Sequence, residues 1–227
     1  MLIGFLQCGH FPQAAGYPTR TYSDLYSEFL SGHGLTFKTW SVVDMEFPQT
    51  VRDADGWLIT GSRHGAYEDL PFIRPLEDFI HKAYAEGVPL VGICFGHQII
   101  AQALGGKVEK FSEGWGVGRT DYRFDGKTLA LNAWHQDQVV EPPAEAETIA
   151  SSDFCRYAGF RYKGPALSVQ PHPEFDLGAV DLLLNVRAPG VVPEDRIERA
   201  RAQVDQPVDN AAMAEQIVKF FRENSHV

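Results

Sequence analysis

The chain has 227 residues, 44% hydrophobic and 22% charged, an ordinary globular composition with enough length to bury a core unaided. Its formal net charge of −10 argues against nucleic acid or an anionic membrane as partner, because both reward clustered Lys and Arg. Three cysteines at no repeating interval exclude a disulfide framework and point to a cytoplasmic protein, and no apolar run approaches the roughly 18 residues that span a bilayer.

Residues 2–7 are a short apolar run with no basic segment before it, which reads as a first buried strand and not as a signal peptide. Tyr22, Leu25, Tyr26, Phe29 and Leu30 fall at helical spacing, and Gly32 and Gly34 end that helix. Residues 35–43 alternate loosely as a second strand, and Gly56 to Thr60 reads as a third. A long loop leads to Pro71, after which Phe72, Leu76, Phe79, Ile80 and Ala83 form another helical stripe. Val88 to Ile93 reads as a strand, and the residues after Cys94 return at once to a helical pattern ended by Gly105-Gly106. From 107 to 170 the segments are shorter and β-like, with turns at Gly114 to Gly118 and Asp125-Gly126. Helices are expected around 176–187, from Pro193 to Val204, and around Met213, Ile217, Phe220 and Phe221. The alternation predicts one α/β domain over 1–227. It has an open, mostly parallel sheet with helices on both faces, a strand-rich second half and a small antiparallel layer.

The chemistry concentrates in Val91-Gly-Ile-Cys-Phe-Gly-His-Gln98. A strand ending at a Cys that directly opens a helix is a nucleophile elbow, and glycines at 92 and 96 suit its tight backbone. A helix N-terminus beside a sulfur favours the thiolate. The base is expected at His172 and its orienter at Glu174, two residues on in an extended, proline-stiffened segment. Cys8 and His97 read as packing residues. The eight histidines include no His-x-x-x-His pair and there is no Cys cluster, so no metal or cofactor is expected. The glycines at 114, 116 and 118 do not lead a strand into a helix and are not a dinucleotide loop.

Gly92-Ile-Cys-Phe-Gly-His-Gln98 with Ile99 to Gly106 resembles the nucleophile signature of class I, triad-type glutamine amidotransferases. Gln170-Pro-His-Pro-Glu174 resembles their His–Glu signature, and Asn132-Ala-Trp-His-Gln-Asp137 the segment between them. Within the family the likeness is to the GMP synthase amidotransferase-like branch, including its free-standing γ-glutamyl peptidases.

The resemblance implies a flavodoxin-like sheet and a Cys94–His172–Glu174 triad. It also implies an oxyanion hole from the Phe95 N–H and one N–H of the Thr60-Gly61-Ser62 turn. Gln98, and the stretch Trp134-His135-Gln136 through its backbone atoms, would hold the amino-acid end of the substrate. The turn at 60–65 departs from the Gly-Gly-Pro type of many relatives, Phe95 replaces Leu or Tyr at the pocket mouth, and the helices from about 188 have no counterpart in the minimal domain. Those helices are expected to pack at the sheet edge.

Three functions compete. The first is glutamine hydrolysis that delivers ammonia to a separate synthetase subunit, and the second is a stand-alone γ-glutamyl peptidase. The third is a non-catalytic regulatory protein on the same scaffold, against which the intact Cys94, His172 and Glu174 speak.

Overall fold

Burial dictates the pattern of the strands: the central ones, covered on both faces, are continuously buried, and the outer ones are mixed. The computed structural model describes residues 1–225, and among these its elements follow in chain order. They are β1 (Leu2–Leu6), α1 (Tyr22–Phe29), β2 (Thr36–Trp40), β3 (Gly56–Ile59), α2 (Ile73–Ala85), β4 (Leu90–Ile93) and α3 (Phe95–Ala103). Then come β5 (Lys107–Lys110), β6 (Gly116–Phe124), β7 (Lys127–His135), β8 (Asp137–Glu141), β9 (Ala146–Ser151), β10 (Gly159–Tyr162) and β11 (Ala166–Val169). The chain closes with α4 (Leu177–Leu182), which runs into a π turn over Leu183–Arg187, α5 (Glu194–Arg201) and α6 (Asn210–Asn224).

Nine strands form one open sheet in the order β2-β1-β3-β4-β11-β10-β9-β6-β7. The first five named are mutually parallel, and the remaining pairings are antiparallel. Helices cover both faces, as expected. On one side α1, α4 and α6 pack over Ile3, Phe5 and Leu58; on the other, α2 and α3 pack over Leu6, Trp57 and Ile59. Each fully buried Ile, Leu or Phe among these is worth about 1.5–3 kcal/mol relative to exposure. The expected antiparallel layer is β5 paired with β8.

Several boundaries differ from expectation. The second strand stops at Trp40, and a 3-10 turn over Val42–Asp44 follows. Gly116 and Gly118 belong to β6 and not to a turn. Gly118, at φ +80°, lets Ala200 of α5 lie directly on the strand, because a Cβ there would meet the Ala200 Cβ at 2.7 Å. The C-terminal helices do not both sit at the edge. The stripe Met213, Ile217 and Phe221 is fully buried, and α6 lies over the central strands, where Gly56 of β3 makes room for the Phe221 ring. The segment before α6 clasps the edge strand β7: Asp209 donates its N–H to Ala130 O and accepts the Ala130 N–H on Oδ2, both at 2.7 Å. No helix among the described residues is long and apolar enough to cross a membrane.

The arrangement fixes the site. The register Val169↔Ile93 brings the carboxyl ends of β11 and β4 side by side, and β3 ends next to them. Ligands of open α/β sheets bind at such ends.

Candidate active site

Cys94 follows β4 and caps α3 with φ +55° and ψ −103°, a conformation that L residues rarely adopt. Two glycines make it attainable. A Cβ at Gly92 would meet Gly96 O at 2.4 Å, and one at Gly96 would meet Ile59 O at 2.2 Å. Strand and helix therefore approach more closely than any side chain would allow, and Cys94 is held out on the sharp turn between them. Its sulfur lies 3.9 Å from Trp134 O.

His172 and Glu174 meet over a buried hydrogen bond of 2.6 Å from Nδ1 to Oε1. A turn makes this pair, and not the extended segment the spacing suggested: Phe175 N–H returns to His172 O at 3.3 Å. The turn also stacks the Phe175 ring on the imidazole at 4.0 Å and 4°, and His172 N–H bonds to Asn132 O at 2.8 Å. The ring is thus fixed on one face and at its backbone. Burial pulls the His172 pKa down, but the Glu174 charge, and after it the Cys94 sulfur by charge and hydrogen bonding, raise it from 6.5 to about 10. The structure brings Cys94, His172 and Glu174 together.

The other expected residues fare unevenly. Gly61 does not offer a free donor, because its N–H bonds to the Tyr26 hydroxyl at 3.2 Å. Ser62, next in the same turn, donates its hydroxyl to Cys8 O at 2.7 Å, which holds the turn against the chain just after β1. The Phe95 N–H belongs to the first turn of α3, where amides lack helical partners. The Phe95 ring does not reach the mouth. It is buried against Phe72 in the core under the opposite face.

Gln98 is buried with its amide nitrogen bonded to Asp137 O at 2.8 Å and Gln170 Oε1 at 3.1 Å, so only its Oε1 remains for a ligand. Of the 134–136 stretch, Trp134 presents its carbonyl to Cys94, whereas Gln136 turns its side chain to Phe111 O at 3.4 Å. The His135 ring is buried beside Phe154, and neither of its ring nitrogens has a hydrogen-bond partner. Burial, helped by the His172 charge, holds its pKa down at about 3. His97 packs as expected, with ring nitrogens 2.8 Å from Ser168 Oγ and 3.0 Å from Tyr157 O.

Asp137 was not singled out by sequence. Its carboxylate is half-buried beside Tyr67 and Gly65, and its carbonyl is the one that holds Gln98. Burial raises its pKa, opposed by the Tyr67 hydroxyl and Lys110. Its place within the 132–137 block was the only signal. Tyr26 gave none, because it reads as one more apolar position of a helix stripe.

The cysteines separate by environment. Burial pushes the Cys155 thiol up to about 12 and Cys8 higher still. Brief iodoacetamide treatment near neutral pH, read by peptide mapping, is therefore expected to label Cys94 at least about tenfold faster than either. Preferential labelling of Cys155 would contradict the elbow.

A family model described as glutamine amidotransferase class-I matches residues 36–184. A glutamine amidotransferase-like protein of Schizosaccharomyces pombe is 30% identical over 225 residues, covering 89% of this chain and 91% of that protein. Gamma-glutamyl peptidase 4 of Arabidopsis thaliana is 29% identical over 217 residues, 88% of this chain and 86% of that protein. The crystal structure of a glutamine amido transferase from Methylobacillus flagellatus shares the fold, with a TM-score of 0.76 at 20% identity over 99% of this chain and 94% of that one.

Proposed function

The chain belongs to the class I glutamine amidotransferase family, and from that premise we propose that it hydrolyses the side-chain amide of glutamine or a related γ-glutamyl amide through a Cys94 thioester. The observation that carries this reading is the buried His172–Glu174 pair facing a Cys94 held at positive φ. Cys94 attacks the γ-carbonyl carbon, and the oxyanion that forms is met by the N–H groups of Phe95 and Ser62. Preorganised donors of this kind are worth about 3 kcal/mol each. The tetrahedral adduct collapses with loss of its C–N bond, and His172 gives its proton to the departing amine. Once the sulfur is acylated it no longer carries the charge that helps to raise His172, so the imidazole that has given up its proton stays neutral and is free to take a proton from the incoming water. Water attack then breaks the C–S bond and releases glutamate.

The γ-glutamyl unit has its α-ammonium on Asp137 and the Gln98 Oε1. Asp137→Asn is accordingly expected to raise KM for glutamine about 10- to 100-fold while leaving kcat within about threefold. An unchanged KM would remove Asp137 from the pocket.

A second reading is favoured by the Arabidopsis gamma-glutamyl peptidase, which aligns over 86% of its own length: a stand-alone γ-glutamyl peptidase that releases an amine larger than ammonia. In the first reading the ammonia passes to a separate synthetase subunit. Amine and ammonia release from glutamine, γ-glutamyl dipeptides and N-acetylglutamine distinguishes the two. Faster turnover of dipeptides selects the peptidase, and turnover that rises only with an ATP-dependent ligase selects the ammonia donor. Equal rates on N-acetylglutamine would overturn the pocket assignment.

A further inference from the structure

Glu174 has one oxygen unaccounted for. Oε1 accepts from His172, but Oε2 is buried with no hydrogen-bond partner in good geometry. A bare carboxylate oxygen in a dry site is strongly disfavoured. Tyr26 presents the complement. Its hydroxyl is fully buried and accepts the Gly61 N–H at 3.2 Å, so its own proton still needs an acceptor. Burial first, and then the neighbouring Glu174 charge, hold this phenol well above its ordinary pKa, so it stays protonated throughout the working pH range.

We propose that Tyr26 is a positioning residue, whose hydroxyl donates to Glu174 Oε2 while accepting from Gly61, and so ties the orienter of His172 to the oxyanion turn. This inference rests on the roles given to His172 and Glu174 under Proposed function and adds a physical link between the two halves of the site. Gly61 already abuts the imidazole, since a Cβ there would meet His172 Cε1 at 2.8 Å. One hydroxyl on α1 thereby stops the carboxylate from swinging about its bond to His172 and fixes the turn that carries Ser62. A hydrogen bond to a carboxylate favours its charged form, so losing it makes the pair hold its proton more tightly.

Tyr26→Phe keeps the ring and removes only the hydroxyl. In the full chain the His172 Nδ1 proton is followed by proton NMR, assigned by its absence in His172→Ala. Tyr26→Phe is expected to move it downfield and to raise its titration midpoint by about half a unit or more. kcat is expected to fall about tenfold, with KM within about twofold. In a Glu174→Gln background the same change is expected to cost clearly less, because the share of its effect that passes through Glu174 is already lost and only the share through the Gly61 turn remains.

Site-specific 3,5-difluorotyrosine at position 26, a stronger donor of similar size, is expected to shift the resonance and midpoint the opposite way, which keeps the test open if Tyr26→Phe folds poorly. An unmoved resonance and titration, or equal losses of kcat in both backgrounds, would overturn the proposal. The NMR readings need no substrate. Absence of Cys94-dependent hydrolysis would therefore count against the function alone, and an unmoved resonance against Tyr26 alone.

Discussion

Cys94→Ala is expected to lower kcat/KM on the best γ-glutamyl substrate by about 10⁴-fold or more, with little change in Tm. The attacking atom is lost outright, and residual catalysis can come only from the oxyanion donors and from binding. Stability should hold because the substitution keeps the Cβ at the same strained position, and the elbow geometry is set by the close approach of Gly92, Gly96 and Ile59 O and not by the sulfur. Turnover assays and thermal melts on the same preparation check both halves. Retained hydrolysis would place the nucleophile elsewhere.

His172→Ala is expected to cost about 10³-fold or more in kcat, and Glu174→Gln clearly less, because the imidazole is then still present but poorly held. The pair also has a pH signature. The folded pKa of His172 is raised from 6.5 to about 10, so its ion pair stabilises the fold fully below about pH 6.5 and loses that contribution as pH rises through 10. Wild type should therefore lose its stability advantage over His172→Ala across that window, by an amount on the order of a few kcal/mol. In Cys94→Ala the loss should begin at lower pH, because one of the influences that raise His172 is gone. A difference between wild type and His172→Ala that stays flat from pH 6.5 to 10 would count against the charged pair.

Much of this was legible in the sequence because its causes are local. The strand, elbow and helix around Cys94 depend on a run of apolar residues and two glycines within reach of one another. The His172–Glu174 pair was legible for a different reason, its short spacing, although the turn that makes it was read as extended chain. Long-range pairings escaped. That Gly61 would give its N–H to Tyr26 depends on α1 crossing the end of β3, 35 residues away in sequence. No periodicity encodes that. The position of α6 escaped for the same reason: its apolar stripe states that it is buried, but not against which strands. In the 134–136 stretch it is a backbone group, the Trp134 carbonyl, that meets Cys94, while the His135 ring is buried beside Phe154.

The clasp of Asp209 on β7 bears on how the chain survives its own synthesis. An open sheet ends in rows of unpaired amides and carbonyls that invite a strand from another molecule. On the β7 edge both groups of Ala130 are taken by Asp209, and the Asn132 carbonyl is taken by His172. The blocking groups come late in the chain, after every strand has been made. A nascent chain therefore holds a complete sheet whose β7 border is guarded only at Asn132 until residue 209 emerges, and that interval is when association with neighbouring copies is most favoured.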